Sequence, residues 1–485
     1  MSDRDSHTER GGGGDGDTWD VIVVGAGPVG ENVADRTSAA GLRTAIVERE
    51  LVGGECSYWA CIPSKALLRP SAALDAARAV PGAREAVGDG RLDAAAVLAR
   101  RDSFTSGWRD DGQVEWLGSA GIELIRGEAR LAGPRRVVVG DRTLTARHAV
   151  AVCPGSEARL PSIPGLADAR PWTSREATSA KDVPGRLAVV GGGVVGAEMA
   201  AAWAGLGSKV TLLMRGERPL PRMERFAGDL VAGGLTARGV DVRPGTSVTE
   251  VRRPDPAGPV TLILDSGDGG DGGELVADEV LFATGRAPRT GTLGLESVGL
   301  EPGSWLTVDD TLLVDGVDGT WLYAAGDVNH RALLTHQGKY QARIAGDAIA
   351  ARAQGRPVPA TARADAFAVP QVVFTEPEVA SVGLTAEAAK AAGRRFRCVD
   401  YDLGSVSGAA LRADGYTGRA RIVVDEDHEV LIGATFTGPD AGELLHAATI
   451  AIVGEVTIDD LWHAVPAFPT VNEVWLRLLE TYRDS

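Results

Sequence analysis

Cys56 and Cys61 are separated by four residues in the run Gly53-Gly-Glu-Cys-Ser-Tyr-Trp-Ala-Cys-Ile-Pro-Ser-Lys65. Two thiols in one short turn can close a disulfide with little backbone movement. Lys65 follows, and Ala66, Leu67 and Leu68 open a helical pattern. A nearby cation and a helix N-terminus both stabilise a thiolate, the form that carries out redox chemistry. The same pair could be a structural disulfide or half of a zinc site. Zinc normally takes four ligands, and the two other cysteines, Cys153 and Cys398, are remote and lack paired spacing. Redox chemistry at Cys56 and Cys61 is the expectation.

Such chemistry needs an electron source, and two stretches are patterned to hold one. Asp20-Val-Ile-Val-Val24 reads as a buried strand, followed by Gly25-Ala-Gly-Pro-Val-Gly30, a helical stretch from Glu31 to Ala40, and a second strand ending at Glu48. This is a dinucleotide-binding βαβ fingerprint in its required context. Gly25 permits the tight turn, Gly27 lets the backbone approach a pyrophosphate, Gly30 lets helix and strand pack closely, and Glu48 is placed to bond a ribose hydroxyl. A second fingerprint, Gly191-Gly-Gly-Val-Val-Gly196, follows Ala188-Val-Val190, with Gly191, Gly193 and Gly196 in the same three roles. Its next strand, Lys209 to Leu213, ends at Met214, where an NAD site would carry an acid. Arg215, Arg218 and Arg222 come next, and arginines can hold a 2′-phosphate. They could equally be solvated surface residues, but the missing acid independently favours NADPH.

A chain of 485 residues exceeds one hydrophobic core, so two to four domains are expected. A net charge of -16 argues against nucleic acid or an anionic membrane as partner. No run approaches a membrane span, no signal-peptide order is present, and four cysteines are no disulfide framework, so a cytoplasmic location is expected. Residues 1–18 read as a flexible leader, and Ser266 to Gly273 as a Gly/Asp-rich hairpin loop.

Taken together, the cysteine run resembles the redox segment of the flavin-dependent pyridine nucleotide-disulfide oxidoreductases, the family of dihydrolipoamide dehydrogenase, glutathione reductase and mercuric reductase. Further segments resemble the same family in the same order: His148 to Ser156, Val280 to Arg286 with Gly285, Thr320 to Asp327, Leu334 to Gln341 and Pro370 to Gly383. The resemblance runs from about residue 19 to 480. It implies an α/β fold with two Rossmann-like dinucleotide-binding domains, for FAD and NAD(P), plus a C-terminal α+β dimerisation domain. The implied division is 19–165 for FAD, 166–289 for NAD(P), 290–365 again for FAD, and 366–485 for the interface of a homodimer. It also implies a relay in which NADPH reduces FAD and FAD reduces the disulfide. Cys61 would lie nearest the flavin, and Cys56 would attack the acceptor. Lys65 and Glu198 match the lysine and glutamate that pair near the flavin, although Glu198 could be an ordinary helix glutamate. Asp327 would contact the ribityl chain, and His336 would be structural or flavin-orienting. Cys153 is expected to be a buried packing residue.

One position departs from the family. Disulfide reductases of this type read His-Pro-Thr-x-x-Glu near the C-terminus, the histidine serving the partner subunit as acid/base. This chain reads Phe468-Pro-Thr-Val-Asn-Glu473. Glu473 is present, but Phe468 cannot transfer a proton. His463, five residues earlier, is expected to be a helix-end surface residue. Three activities compete: reduction of a disulfide with an unusual proton donor, reduction of a small acceptor such as a quinone, dye or metal ion, and non-catalytic redox sensing. Mercury itself is not expected, because no cysteine pair near the C-terminus could hand metal inward. Tyr58 and Trp59, between the cysteines, are bulkier than the family's usual residues and would narrow access to Cys56 or pack against the interface.

Overall fold

The structure is a computed structural model that describes residues 17–266 and 272–484. Nearly all of the expected leader, and the middle of the expected Gly/Asp-rich loop, lie outside the described residues. The chain forms two units, one built from the segments ending at Gly54, Asp110–Ser156 and Pro288–Ala362, the other from Glu55–Arg109, Glu157–Ala287 and Arg363–Ser485.

In the first unit the β-branched run around Ile22 becomes the strand Thr18–Val24, with Val21, Ile22 and Val23 fully buried. Both faces are covered, as a near-continuous apolar run requires of a parallel strand. It pairs in parallel with Thr44–Glu48 on one side and Arg142–Val152 on the other. The sheet extends to Glu123–Arg126, and Leu322–Ala324 joins Arg142–Val152 in parallel. Arg136–Val139 and Ala129–Leu131 add an antiparallel edge. Helices Pro28–Ala39 and Thr335–Ala353 pack on this sheet, around a core containing Trp19, Trp321 and Tyr323.

Among the described residues, three sheets lie wholly within the second unit. A four-stranded parallel sheet runs Asp241–Arg243, Lys209–Leu213, Arg186–Val190, Glu279–Phe282. A three-stranded antiparallel sheet is made by Ser247–Arg252, Val260–Asp265 and Glu274–Ala277. A five-stranded antiparallel sheet, Gln371–Val373, Glu378–Gly383, Val430–Gly438, Arg419–Asp425, Phe396–Asp402, carries the last part of the chain. The helix Cys61–Arg78 tolerates Pro63 because the missing N–H falls in its first turn, where no intrahelical partner exists. Leu67 and Leu68 of this helix share an apolar cluster with Met199 and Trp203 of the helix Val194–Gly205. Val373 and Val379 belong to the same cluster. No helix among the described residues is long and apolar enough to cross a membrane.

Candidate active site

The cysteine run folds as two helical pieces. Cys56 lies in the short helix Gly54–Tyr58, and Cys61 is the first residue of Cys61–Arg78. Cys61 therefore sits where backbone N–H groups lack intrahelical acceptors, a position that favours a thiolate. Both cysteines are partly exposed. The residues between them are held from outside. The Tyr58 carbonyl accepts from Trp108 Nε1 at 3.1 Å, and the Trp59 carbonyl accepts from Thr178 Oγ1 at 2.9 Å. The Arg175 guanidinium stacks 3.9 Å from the Trp59 ring centre while its Nε donates to Glu55 Oε1 at 2.6 Å. Tyr58 is buried, so the bulk seen in the sequence is packing for one aromatic and a cation platform for the other. Arg175 and Thr178, both on the helix Ser174–Ser179, carried no signal in sequence, because more than a hundred residues separate them from the turn they hold.

One turn beyond Cys61, Lys65 Nζ donates to Glu198 Oε2 at 2.7 Å. Glu198 is 3% exposed, and a carboxylate so buried requires a charged or hydrogen-bonding partner at each oxygen. Its second oxygen, Oε1, accepts the backbone N–H of Phe374 at 3.0 Å. The helix that begins at the thiols and the helix that begins at the second glycine loop are thus joined by an ion pair.

The first glycine loop is fixed by backbone crowding. Gly25 has φ +96°, and a Cβ there would lie 2.4 Å from the Cys153 carbonyl oxygen. A Cβ on Gly30 would lie 1.8 Å from the Gly25 oxygen, whereas one on Gly27 would approach nothing closer than 4.0 Å. The space over Gly27 is open enough for a pyrophosphate to approach the backbone there. Glu48 braces this loop, accepting from the N–H groups of Ala26 and Glu50, each at 2.7 Å. Asp327 opens the turn after Leu322–Ala324 and accepts from the Ser156 hydroxyl. His336 is exposed in the first turn of Thr335–Ala353. These residues, all in the first unit, fit an adenine dinucleotide: an open backbone cradle, an acid at the strand end and an acid positioned by a hydroxyl. Sequence reasoning passed over Glu31 beside them. Burial, with the Glu48 charge adding and Lys339 opposing, pushes its carboxyl up to about 7.

The second loop repeats the arrangement. Gly191 has φ +121° with the Ala283 oxygen 2.4 Å from its would-be Cβ, a Cβ on Gly196 would lie 1.8 Å from the Gly191 oxygen, and Gly193 is open. Cys153 and Ala283 are the matching supports. Burial pushes the Cys153 thiol up to about 12, which keeps it neutral and leaves it a packing residue. Gly285, two residues past Ala283, adopts φ +122° with open space around it. At the end of the strand Lys209–Leu213, Met214 is buried against Gly192, so no carboxylate stands there. Arg218 is turned to Asp229, its Nε 2.8 Å from Oδ1, while Arg215 and Arg222 are exposed.

Near the C-terminus Phe468 is 73% exposed. His463 caps the helix Ile458–Trp462 at the surface. Glu473, buried at the start of the helix Glu473–Asp484, accepts from Arg477 Nη2 at 2.7 Å through Oε1. Its other oxygen, Oε2, is buried without a hydrogen-bond partner among the described residues.

The chain builds the same glycine loop twice and ties the helix of the second, by an ion pair, to a helix opening on a cysteine, an arrangement that suits redox chemistry with nucleotide cofactors. That is the work of a flavoprotein oxidoreductase. Sequence profiles agree: residues 19–355 match the pyridine nucleotide-disulphide oxidoreductase family, and residues 369–478 match its dimerisation domain. A dihydrolipoyl dehydrogenase of Thermus scotoductus is 35% identical over 466 residues, 94% of this chain and 95% of that protein. A mercuric reductase of Staphylococcus aureus is 31% identical over 459 residues, 95% of this chain and 81% of the relative. Among solved structures, the HOCl-induced flavoprotein disulfide reductase RclA of Escherichia coli, as its Cu(II) complex, superimposes with a TM-score of 0.81 at 24% identity, covering 96% of this chain and 99% of that one. The chain belongs to the pyridine nucleotide-disulfide oxidoreductase family and is an FAD-dependent enzyme of that family.

Proposed function

We propose that this enzyme takes electrons from NADPH and delivers them, by way of FAD and a Cys56–Cys61 disulfide, to an acceptor that needs no histidine proton donor. The observation that carries the reading is the Lys65–Glu198 ion pair, which links the thiol helix to the helix of the second glycine loop. Bound FAD would accept a hydride from the nicotinamide and pass on two electrons. The disulfide takes up those two electrons and the one proton of the hydride: the S–S bond breaks, Cys56 becomes a thiol and Cys61 is left as a thiolate, the species that a long-wavelength band would report. Lys65 compensates the Glu198 charge and offers a cation where negative charge develops. Residues 19–165 and 290–365 are assigned to FAD, 166–289 to NADPH and 366–485 to a homodimer interface. NADPH rather than NADH is supported by Met214 at the strand end and by exposed Arg215 and Arg222.

Phe468 favours acceptors such as quinones, dyes or metal ions over small disulfides, whose leaving thiolate needs a proton. An anaerobic NADPH titration of the purified holoenzyme tests the reading. A long-wavelength absorbance band after two electrons, lost in Cys61→Ser, is expected. Bleaching of the flavin with no such band would overturn the dithiol step. Turnover of quinones well above that of small disulfides is expected in the same preparation.

A further inference from the structure

The Lys65–Glu198 pair is touched by a residue from neither helix. Phe374 follows the strand Gln371–Val373, and it meets both partners in different ways. Its backbone N–H donates to Glu198 Oε1 at 3.0 Å, leaving Oε2 for Lys65 Nζ at 2.7 Å. Its ring lies beneath the ammonium, with Nζ 4.9 Å from the ring centre. The amide fixes which carboxylate oxygen faces Lys65, because rotating the carboxylate would break a charge-assisted bond. The ring attracts the same cation through its quadrupole. Lys65 is 35% exposed, and a flexible ammonium that open to water would otherwise sample several rotamers. The clamp itself is anchored: Val373 is fully buried in the cluster that holds Leu67 and Ala197.

We infer that Phe374 is a positioning residue, which holds the Lys65 ammonium in one orientation against Glu198 through its amide and its ring together. The inference rests on the proposed role of that pair in electron transfer, but its first test does not. Competitive acetylation of the holoenzyme, followed by peptide mass spectrometry, reads the exposure of each lysine amine, with Lys181, Lys209, Lys339 and Lys390 as internal references. Phe374→Leu removes the ring and keeps the amide. Lys65 is expected to react about threefold to tenfold faster in that variant, relative to the reference lysines. The rate of flavin bleaching by NADPH should fall by a similar factor at unchanged half-saturation, and Phe374→Tyr should restore both values. An unchanged Lys65 acetylation rate in Phe374→Leu would overturn the inference. Phe374→Met, closer in volume, gives the same reading if the leucine variant loses its flavin. A changed acetylation rate in an enzyme that shows no thiolate band would leave the positioning role standing and remove the relay.

Discussion

Single residues decide two properties of this enzyme. The first is its response to pH. Burial pushes the Glu376 carboxyl from its ordinary value of 4.5 up to about 7; the charges of Glu378, Asp75 and Asp440 add to the shift, and Arg238 opposes it. Burial raises Glu378 as well. A carboxyl raised in the fold favours folding least when ionised. Its penalty is absent below pH 4.5, grows between pH 4.5 and 7, and is complete above. Glu376→Gln should therefore raise the thermal midpoint at about pH 8 and leave it unchanged at about pH 4.5, the gain being about 3 kcal/mol at most. The second is the proposed choice of acceptor. Phe468→His would return an acid/base group to the position where the family carries one. Turnover of small disulfides should rise at least about tenfold, since such a group contributes about 10²–10⁴-fold where it acts. Steady-state assays with a small disulfide and a quinone, side by side, would read the shift in preference.

At the scale of elements, both glycine loops were legible in the sequence because their constraints are steric and local. A Cβ on Gly30 or Gly196 would lie 1.8 Å from a backbone oxygen, which no side chain survives, and that requirement is written directly into residue type. Gly27 and Gly193 are open, so the fold does not demand glycine there, and the proposed nucleotides would account for it. This contrast is testable. Gly196→Ala should destabilise the protein, whereas Gly193→Ala should fold normally and weaken nucleotide binding, measured by titration calorimetry with NADP⁺. Lys65 and Glu198 could be paired in advance only through the resemblance, since 133 residues separate them. The contacts that complete the site were not legible at all. Phe374 contributes a backbone N–H, which every residue but proline possesses, and Arg175 reaches Trp59 by a stacking contact that leaves no spacing pattern. The link from Arg477 to Glu473 is readable in sequence as an i, i+4 pair at a helix start, although the family motif that ends at Glu473 does not include Arg477.

For the whole molecule, the C-terminal segment carries exposed apolar side chains that a monomer would leave in water. Leu411, Ile450, Val465 and Phe468 are each more than half exposed, and all lie within the stretch matched by the dimerisation profile. Exposed apolar side chains in a segment matched by a dimerisation profile are candidates for an association surface. Sedimentation should report a dimer, and Ile450→Asp combined with Val465→Asp should shift it toward monomer. The order in which the strands occur along the chain has a further consequence, for biosynthesis. The four-stranded sheet of the second unit is drawn from one stretch, residues 186–282, and can assemble as soon as that stretch leaves the ribosome. The sheet behind the first glycine loop is different: its strand Arg142–Val152 waits for Leu322–Ala324, translated 170 residues later. At about 5–20 residues per second, that wait lasts roughly 10–30 s. On the proposed assignment, the nascent chain should acquire a folded pyridine nucleotide site before it can retain flavin, and a ribosome stalled before Leu322 should carry a colourless chain.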